Sequence, residues 1–355
     1  MKRVLAGLTA AGVALLAAGC ASSSASNAGS SSSAGTSQPA AQVTLRLGFL
    51  ENITHAPALI GVKEGFFTKN LGNGVTLKLQ PFSTGTEEAT ALLAGQLDAA
   101  YVGPNPAIKA WQTSGGSLIK VISGAATGGA ELVVKKGITS ASQLKGQKLA
   151  TPSLGNTQDV ALRYWLKSKG LTTTETGGGD VPITPVTPNS AAVLQFASGQ
   201  IAGGWEPAPY DAEMIADGGH VLVNEASLWP KGQFATTEVI VSKSFLDAHP
   251  AVVKKFLAAH VAAIDLINTN RAQAEKLVAQ RILKDTTKPI AANLVTASFD
   301  HITFTADPIA SSVVKDVKNA EAVGVLKNTD IKGIFDLKLL NQVLKADKQA
   351  AVSSP

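Results

Sequence analysis

The run GQLDAAYVGPNP at 95–106 returns as GQIAGGWEPAP at 199–209, 104 residues later. In each copy a short apolar strand stops at a proline-rich turn. The same offset carries Leu45 onto Leu149, Leu50 onto Leu154, Asn52 onto Asn156 and Tyr101 onto Trp205. Separated segments that share one offset indicate a duplicated unit, and a chain made of two copies must pack each around its own core.

The residues between these landmarks fill in the unit. Segments 43–50, 75–82, 97–103 and 118–125 read as strands, and 56–70, 85–96 and 105–115 as helices. Glu87 and Glu88 suit the positive end of the second helix. The pattern restarts with strands at 147–154, 180–188, 200–206 and 220–225, interleaved with helices at 157–170, 190–199 and 209–219. Strands alternating with helices of this length predict a mostly parallel sheet covered on both faces. After a further strand at 234–242 the chain is helix-rich, with its clearest helical periodicity at 249–270 and further helices at about 308–348. The expected fold class is therefore α/β, with two lobes around an interdomain cleft. Lobe one is expected from 43–128 and 232–355, and lobe two from 129–231.

The amino terminus is a separate matter. Residues 1–19 carry Lys2 and Arg3 before an apolar run too short for a membrane span, and end at LAAGC with the chain's single cysteine, Cys20. Small residues directly before Cys resemble the bacterial lipoprotein signal, which would make Cys20 the lipidated first residue of the mature chain. Ala17 departs from that pattern, where Leu is commoner; an ordinary secretory signal is the alternative. Residues 21–42 hold no charge and no periodicity, so 20–42 reads as a tether that cannot bury enough apolar surface to fold. With Cys20 in the signal, no thiol is left for disulfides, zinc or nucleophilic catalysis. Losing Lys2 and Arg3 lowers the formal net charge from +5 to +3, without any basic block, and nucleic acid is not an expected partner.

In an open α/β sheet ligands sit beyond the carboxyl ends of the strands, where loops and helix starts converge. The paired strand ends are LENITHAP and LGNTQD, and GPNP and WEPAP. Three stretches, LRLGFLENITHAPALIGVKEGFF, LLAGQLDAAYVGPNPA and LKGQKLATPSLGNTQDVALRYWLKSKGL, resemble the solute-binding proteins of ABC importers in the nitrate/sulfonate/taurine, NMT1-like group. The resemblance runs from about Val43 to about Asn270. It implies a type II periplasmic-binding-protein fold that closes on a small solute and delivers it to a membrane permease, outside the cytoplasm and, with Cys20, lipid-anchored. A monomer without cofactor or metal is expected.

The candidate ligand contacts follow the strand ends. Asn52, Thr54 and His55 open a helix with Pro57 in its first turn, whose free N–H groups suit an anion. Thr54 could equally be only an N-cap, and His55 could contact ligand or orient the loop. Gly103 and Asn105 belong to the rigid GPNP turn. Gly155, Asn156, Thr157 and Gln158 make a second helix entrance, with Asn156 or Thr157 as cap. Gly129, beside Gly128, reads as a hinge or a position of close approach. Trp205 and Glu206 would attract a cationic group if they face the cleft; then a zwitterion such as taurine, or an aminopyrimidine, is preferred to nitrate or sulfate. Alternatively Trp205 packs inside lobe two and Glu206 pairs with a lysine. The five histidines (55, 220, 249, 260, 301) show no metal-ligand spacing.

An enzyme is the rival class. No GxSxG, HExxH or Walker motif occurs, nor the cysteine-rich iron motif of a pyrimidine-synthesising relative. A sensor or adhesion lipoprotein is a third class. The expected cargo is a sulfonate-type solute, with a thiamine-precursor pyrimidine or nitrate as alternatives.

Overall fold

The structure, a computed structural model, describes residues 42–354. The expected signal segment 1–19, Cys20 and the tether before Gln42 lie outside the described residues. The first copy builds β1 (Val43–Leu50), α1 (Ala56–Lys63), α2 (Phe66–Leu71), β2 (Val75–Phe82), α3 (Gly85–Leu93), β3 (Ala99–Val102), α4 (Pro104–Thr113) and β4 (Ile119–Gly128). The second builds β5 (Ala130–Lys135), β6 (Leu149–Thr151), α5 (Thr157–Ser168), β7 (Ile183–Pro185), α6 (Asn189–Ala197), β8 (Gly203–Pro207), α7 (Tyr210–Ala216) and β9 (Gly219–Asn224). The chain then returns through β10 (Ala235–Ser242), α8 (Lys243–Ala248), α9 (Pro250–Thr269), α10 (Arg271–Thr286), α11 (Ala292–Asp300), β11 (Ile302–Phe304), α12 (Ala310–Ala322) and α13 (Lys338–Ala346).

Two sheets result, ordered β11-β4-β10-β3-β1-β2 and β7-β6-β8-β5-β9. The offset of 104 residues holds to the residue for α3 and α6, and for the first residues of β3 and β8. Both sheets are mixed rather than mostly parallel. β1 pairs in parallel with β2 and β3, and β6 with β7 and β8, but β10 and β5 run antiparallel to both of their neighbours. The reason lies in connectivity. β4 runs toward the other sheet and crosses as β5, so β5 enters the second sheet from the end where that sheet's parallel strands finish. β10 does the reverse on the way back. Strand alternation in a sequence reports burial and carries no information about this direction. The strands 147–154 and 180–188 are also shorter than expected, at three residues each.

The crossing occurs at Gly128 and Gly129, both with positive φ (83° and 73°). A side chain at Gly128 would place Cβ 2.3 Å from the carbonyl oxygen of His301, and one at Gly129 would strike Ile302. The expectation of close approach is met at this pair. β11 flanks the crossing, with Ile302 opposite Gly128, and the Thr236 hydroxyl donates to the Gly128 carbonyl (2.6 Å).

Both faces of each sheet carry buried clusters. Leu45, Leu47 and Phe49 of β1 meet Leu59 and Ile60 of α1 and Phe256 and Leu257 of α9, with Phe67 stacked on Phe256 at 5.2 Å. Tyr101 lies in this core, and its hydroxyl is 2.8 Å from His260 Nδ1. His260 Nε2 lies 2.8 Å from the Gly124 carbonyl, an acceptor only, so Nε2 carries the proton and Nδ1 accepts from Tyr101. Burial pushes the His260 pKa down to about 4, which keeps the ring neutral.

Gly128→Ala adds backbone strain and a clash with a carbonyl, and is expected to lower unfolding stability by about 2–4 kcal/mol. Gly95→Ala carries a comparable φ of 70° but meets nothing within 4 Å, so its expected cost is about 1 kcal/mol. Urea melts of the two variants should separate by that margin.

Candidate functional site

A cavity lies where the two sheets' strand ends face each other, lined by residues of both copies. Five helix entrances meet there: the 3-10 turn Ile53–His55 leading into α1, and the starts of α3, α4, α5 and α6. The first N–H groups of a helix have no carbonyl one turn earlier, and the macrodipole places partial positive charge at the same end. Pro104 and Pro106 remove two of these donors from α4, leaving Asn105. The first turns of α3, α5 and α6 contain no proline.

Each entrance is fixed by its cap. At the first, the cap is Asn52 and not Thr54: Asn52 Oδ1 accepts from the His55 backbone N–H (3.2 Å) and from the Thr54 hydroxyl (2.8 Å). His55 Nδ1 accepts from the Leu50 N–H (3.1 Å), so the ring orients the loop while it also lines the cavity. Its proton sits on Nε2, and burial drives its pKa down to about 3. At α3, Thr84 Oγ1 accepts from the Glu87 N–H. At α5, Asn156 Oδ1 accepts from the Asp159 N–H (2.9 Å), and Asn156 Nδ2 donates to Gln158 Oε1 (3.0 Å). Asp159 is in turn held by Arg163 at 2.6 Å, with both side chains fully buried, and accepts from the Gly155 N–H at 2.8 Å. That pair pins the loop ahead of α5.

Asn52, Thr54, His55, Gly103, Asn156, Thr157 and Gln158 line the cavity as a group. Their neighbours there include Ser83, Thr84, Gly85, Asn189, Pro207 and Thr236, which the sequence reading missed. The repeat itself held a signal for two of them, because the offset that pairs Asn52 with Asn156 also pairs Gly85 with Asn189. No Lys, Arg, Asp or Glu is among the lining residues. Among the described residues no group of three His, Cys, Asp or Glu could hold a metal ion, and no helix is long and apolar enough to cross a membrane.

Five candidates stand elsewhere. Trp205 faces the interior of the second copy, fully buried: its Nε1–H donates to Glu225 Oε2 (2.7 Å) and its ring meets Trp165 edge-on at 6.5 Å. This corrects the expectation of a cation-attracting wall. The neighbouring Glu206 points to the opposite side of β8 and is also sealed from solvent, with no hydrogen-bond partner for either oxygen and no lysine against it. Burial, and then nearby Asp211, hold its pKa well above the usual range. Gly155 lies off the cavity in a lateral groove, and the atom nearest a Cβ there belongs to Val325. Gly129 belongs to the crossing. Asn105 is buried beside the cavity and its side-chain amide has no partner.

The two copies touch around the cavity. A Cβ at Gly103 would lie 2.5 Å from Thr157 Oγ1, so glycine permits this approach. Thr86 and Ser153 hydroxyls are 3.0 Å apart, the Tyr210 hydroxyl donates to the Glu51 carbonyl (3.3 Å), and the Ile53 N–H donates to the Ala208 carbonyl (3.0 Å). The cavity volume is about 30 Å³, room for one or two waters.

Comparisons with known proteins agree with this geometry. Residues 38–283 match the model of the NMT1-like family. A protein of Brucella abortus whose name goes no further than "binding protein" is 26% identical over 250 residues, covering 69% of this chain and 74% of its own length. The taurine-binding periplasmic protein of Escherichia coli K12 is 26% identical over 203 residues, 56% of this chain and 59% of its own. Among solved structures, the nitrate-binding protein of Synechocystis PCC 6803 superposes with TM-score 0.73 at 17% identity, covering 88% of this chain and 92% of that one. The alkanesulfonate-binding protein of Xanthomonas axonopodis pv. citri, solved with MOPS bound, gives 0.67 at 19% identity over 82% and 96%. The fold is thus the two-lobed periplasmic-binding-protein fold.

Glu225 allows a test of the buried acidic interior behind this wall. It accepts from the indoles of Trp205 and Trp229, and burial raises its pKa from 4.5 to about 8. The folded state keeps a proton that the unfolded chain releases, so stability from this group is intact below about pH 4.5 and is lost as pH rises to 8. Glu225→Gln keeps an acceptor and cannot ionise. Its stability relative to the unaltered protein should grow by roughly 3–5 kcal/mol between pH 4.5 and 8, read from urea melts at both ends.

Proposed function

The chain belongs to the NMT1-like family, and from that membership we propose that it is the solute-binding protein of an ABC importer, capturing a sulfonate-type anion by hinge closure. Residues 43–128 and 232–355 form one lobe and 129–231 the other. The protein works outside the cytoplasmic membrane as a monomer, anchored through a lipid on Cys20, and hands its cargo to a membrane permease.

One observation carries this reading: helix entrances from both lobes surround a cavity whose lining includes no charged side chain. Unpaired first-turn amides and neutral hydroxyls stabilise an oxyanion without a formal counter-charge. A sulfonate offers three acceptor oxygens to donors arriving from several directions. Asn52, Thr54, His55 through Nε2–H, Gly103, Asn156, Thr157 and Gln158 contact the ligand in this scheme, joined by Thr84 and Asn189. Trp205 and Glu206 no longer argue for an ammonium group on the cargo, so the preference rests on the anionic end. The protein is not an enzyme. His55, the one titratable group in the lining, already spends Nδ1 on the Leu50 N–H and is not placed as a base for any hydroxyl.

Ligand that contacts both lobes biases the open–closed equilibrium, which gives a direct test. Thr86→Cys with Ser153→Cys places two thiols where hydroxyls now meet at 3.0 Å. In calorimetry against alkanesulfonates, taurine, nitrate, sulfate and aminopyrimidines, the unaltered protein should bind sulfonates, and saturation at 100 times Kd should add about 2.7 kcal/mol of stability. The oxidised double variant should show no binding heat until reduced. Binding of aminopyrimidine or nitrate without sulfonate, or unimpaired uptake by the locked form, would reject the proposal.

A further inference from the structure

The small cavity is not the whole of the cleft. Leu50, Asn52, Ser83 and Asn189 also form one wall of a second cavity of about 700 Å³. Its other walls are chiefly apolar: Phe82 at the end of β2, Ile282 of α10, Leu294 of α11, and Ile290 between those helices. Glu51, Glu213 and Lys288 are the charged members of the lining. The volume is in the range of small-molecule sites and far exceeds what nitrate, sulfate or taurine could fill.

The shared wall carries a second signal. Asn189 is 7% exposed, and its side-chain oxygen has no hydrogen-bond partner. A buried amide oxygen without a donor is costly, and Asn189 stands where the two cavities adjoin.

We infer that the cargo is an amphiphilic anion: an acidic head in the inner cavity, an N–H or O–H donor that meets Asn189 at the junction, and an apolar body in the outer chamber. This rests on the functional reading above and adds the part of the ligand that reading leaves undefined. The chamber favours such a body over water because each methylene moved from water onto apolar walls strengthens binding about fourfold. A short solute would gain none of this.

The test compares taurine with N-cyclohexyltaurine, and methanesulfonate with hexanesulfonate, by titration calorimetry on the purified chain. N-cyclohexyltaurine should bind at least 100-fold more tightly than taurine, and hexanesulfonate more tightly than methanesulfonate by about fourfold per methylene buried. Leu294→Arg should cut the first ratio at least tenfold. Ile290→Ser is a milder second variant with the same expected direction, and thermal midpoints establish that both fold. Asn189→Ala should narrow the advantage of N-cyclohexyltaurine over hexanesulfonate about tenfold. Equal affinity for long and short sulfonates, or ratios insensitive to these substitutions, would overturn the inference and leave the importer reading standing. If no sulfonate binds at all, that reading falls and the inference goes with it.

Discussion

The site depends on a property of the peptide backbone. The first turn of a helix cannot satisfy its own N–H groups, and a sheet whose parallel strands all end at one edge delivers every following helix start to that edge. Two such sheets placed edge to edge concentrate unsatisfied donors in the gap between them. The caps set how many remain available. Asn52, Thr84 and Asn156 each bind the N–H three residues on, which leaves the earlier positions of those turns facing the cavity. Side chains then refine a surface that the fold has already made receptive to acceptor groups.

The crossing between lobes lies beside this surface. β4 and β5 are one continuous path interrupted by two left-handed glycines, so a rotation there moves β5 and the sheet built around it. The return through β10 is tied to the same point by the Thr236 hydroxyl on Gly128 and the Phe234 N–H on Thr127. Contacts between the lobes are of two kinds: polar ones such as Thr86 with Ser153 and Asn105 with Thr157 at 3.5 Å, and a buried apolar cluster in which Val160 of α5 packs with Ile108, Val313 and Val317 of the other lobe.

The duplicated topology was legible because it is written in spacing, which insertion-free copies preserve. Asn52, Asn156 and their neighbours were legible because strand ends and caps have local signatures. Trp205 and Glu206 were not. β8 is buried on both faces, so the alternation that normally distinguishes outside from inside has no polar face to display. A carboxylate in a strand of five buried residues then looks like a loop residue that has reached the cleft. Thr84 and Asn189 escaped for the opposite reason: each reads locally as an ordinary helix start, and only the register that pairs the starts of α3 and α6 marks the two starts as equivalent. The outer chamber was beyond reach, since it joins β2 to the segment between α10 and α11, some 200 residues away in sequence.

Release poses a harder physical problem than capture. A solute held by a buried Lys or Arg would carry an ion pair whose separation in a half-open, poorly hydrated cleft is expensive. Amide dipoles avoid this, because each is weak alone and they act together only when both lobes close. Asn156, Thr157, Gln158 and Asn189 come from one lobe, and Asn52, Thr54, Thr84 and Gly103 from the other. In the proposed scheme, separation of the lobes would remove a large share of the donors in a single movement while water replaced them. His55 fits the same logic. With its pKa pressed down to about 3 by burial, its ring stays uncharged across the range in which histidines ordinarily titrate, so in the proposed scheme it offers an Nε2–H donor and no charge.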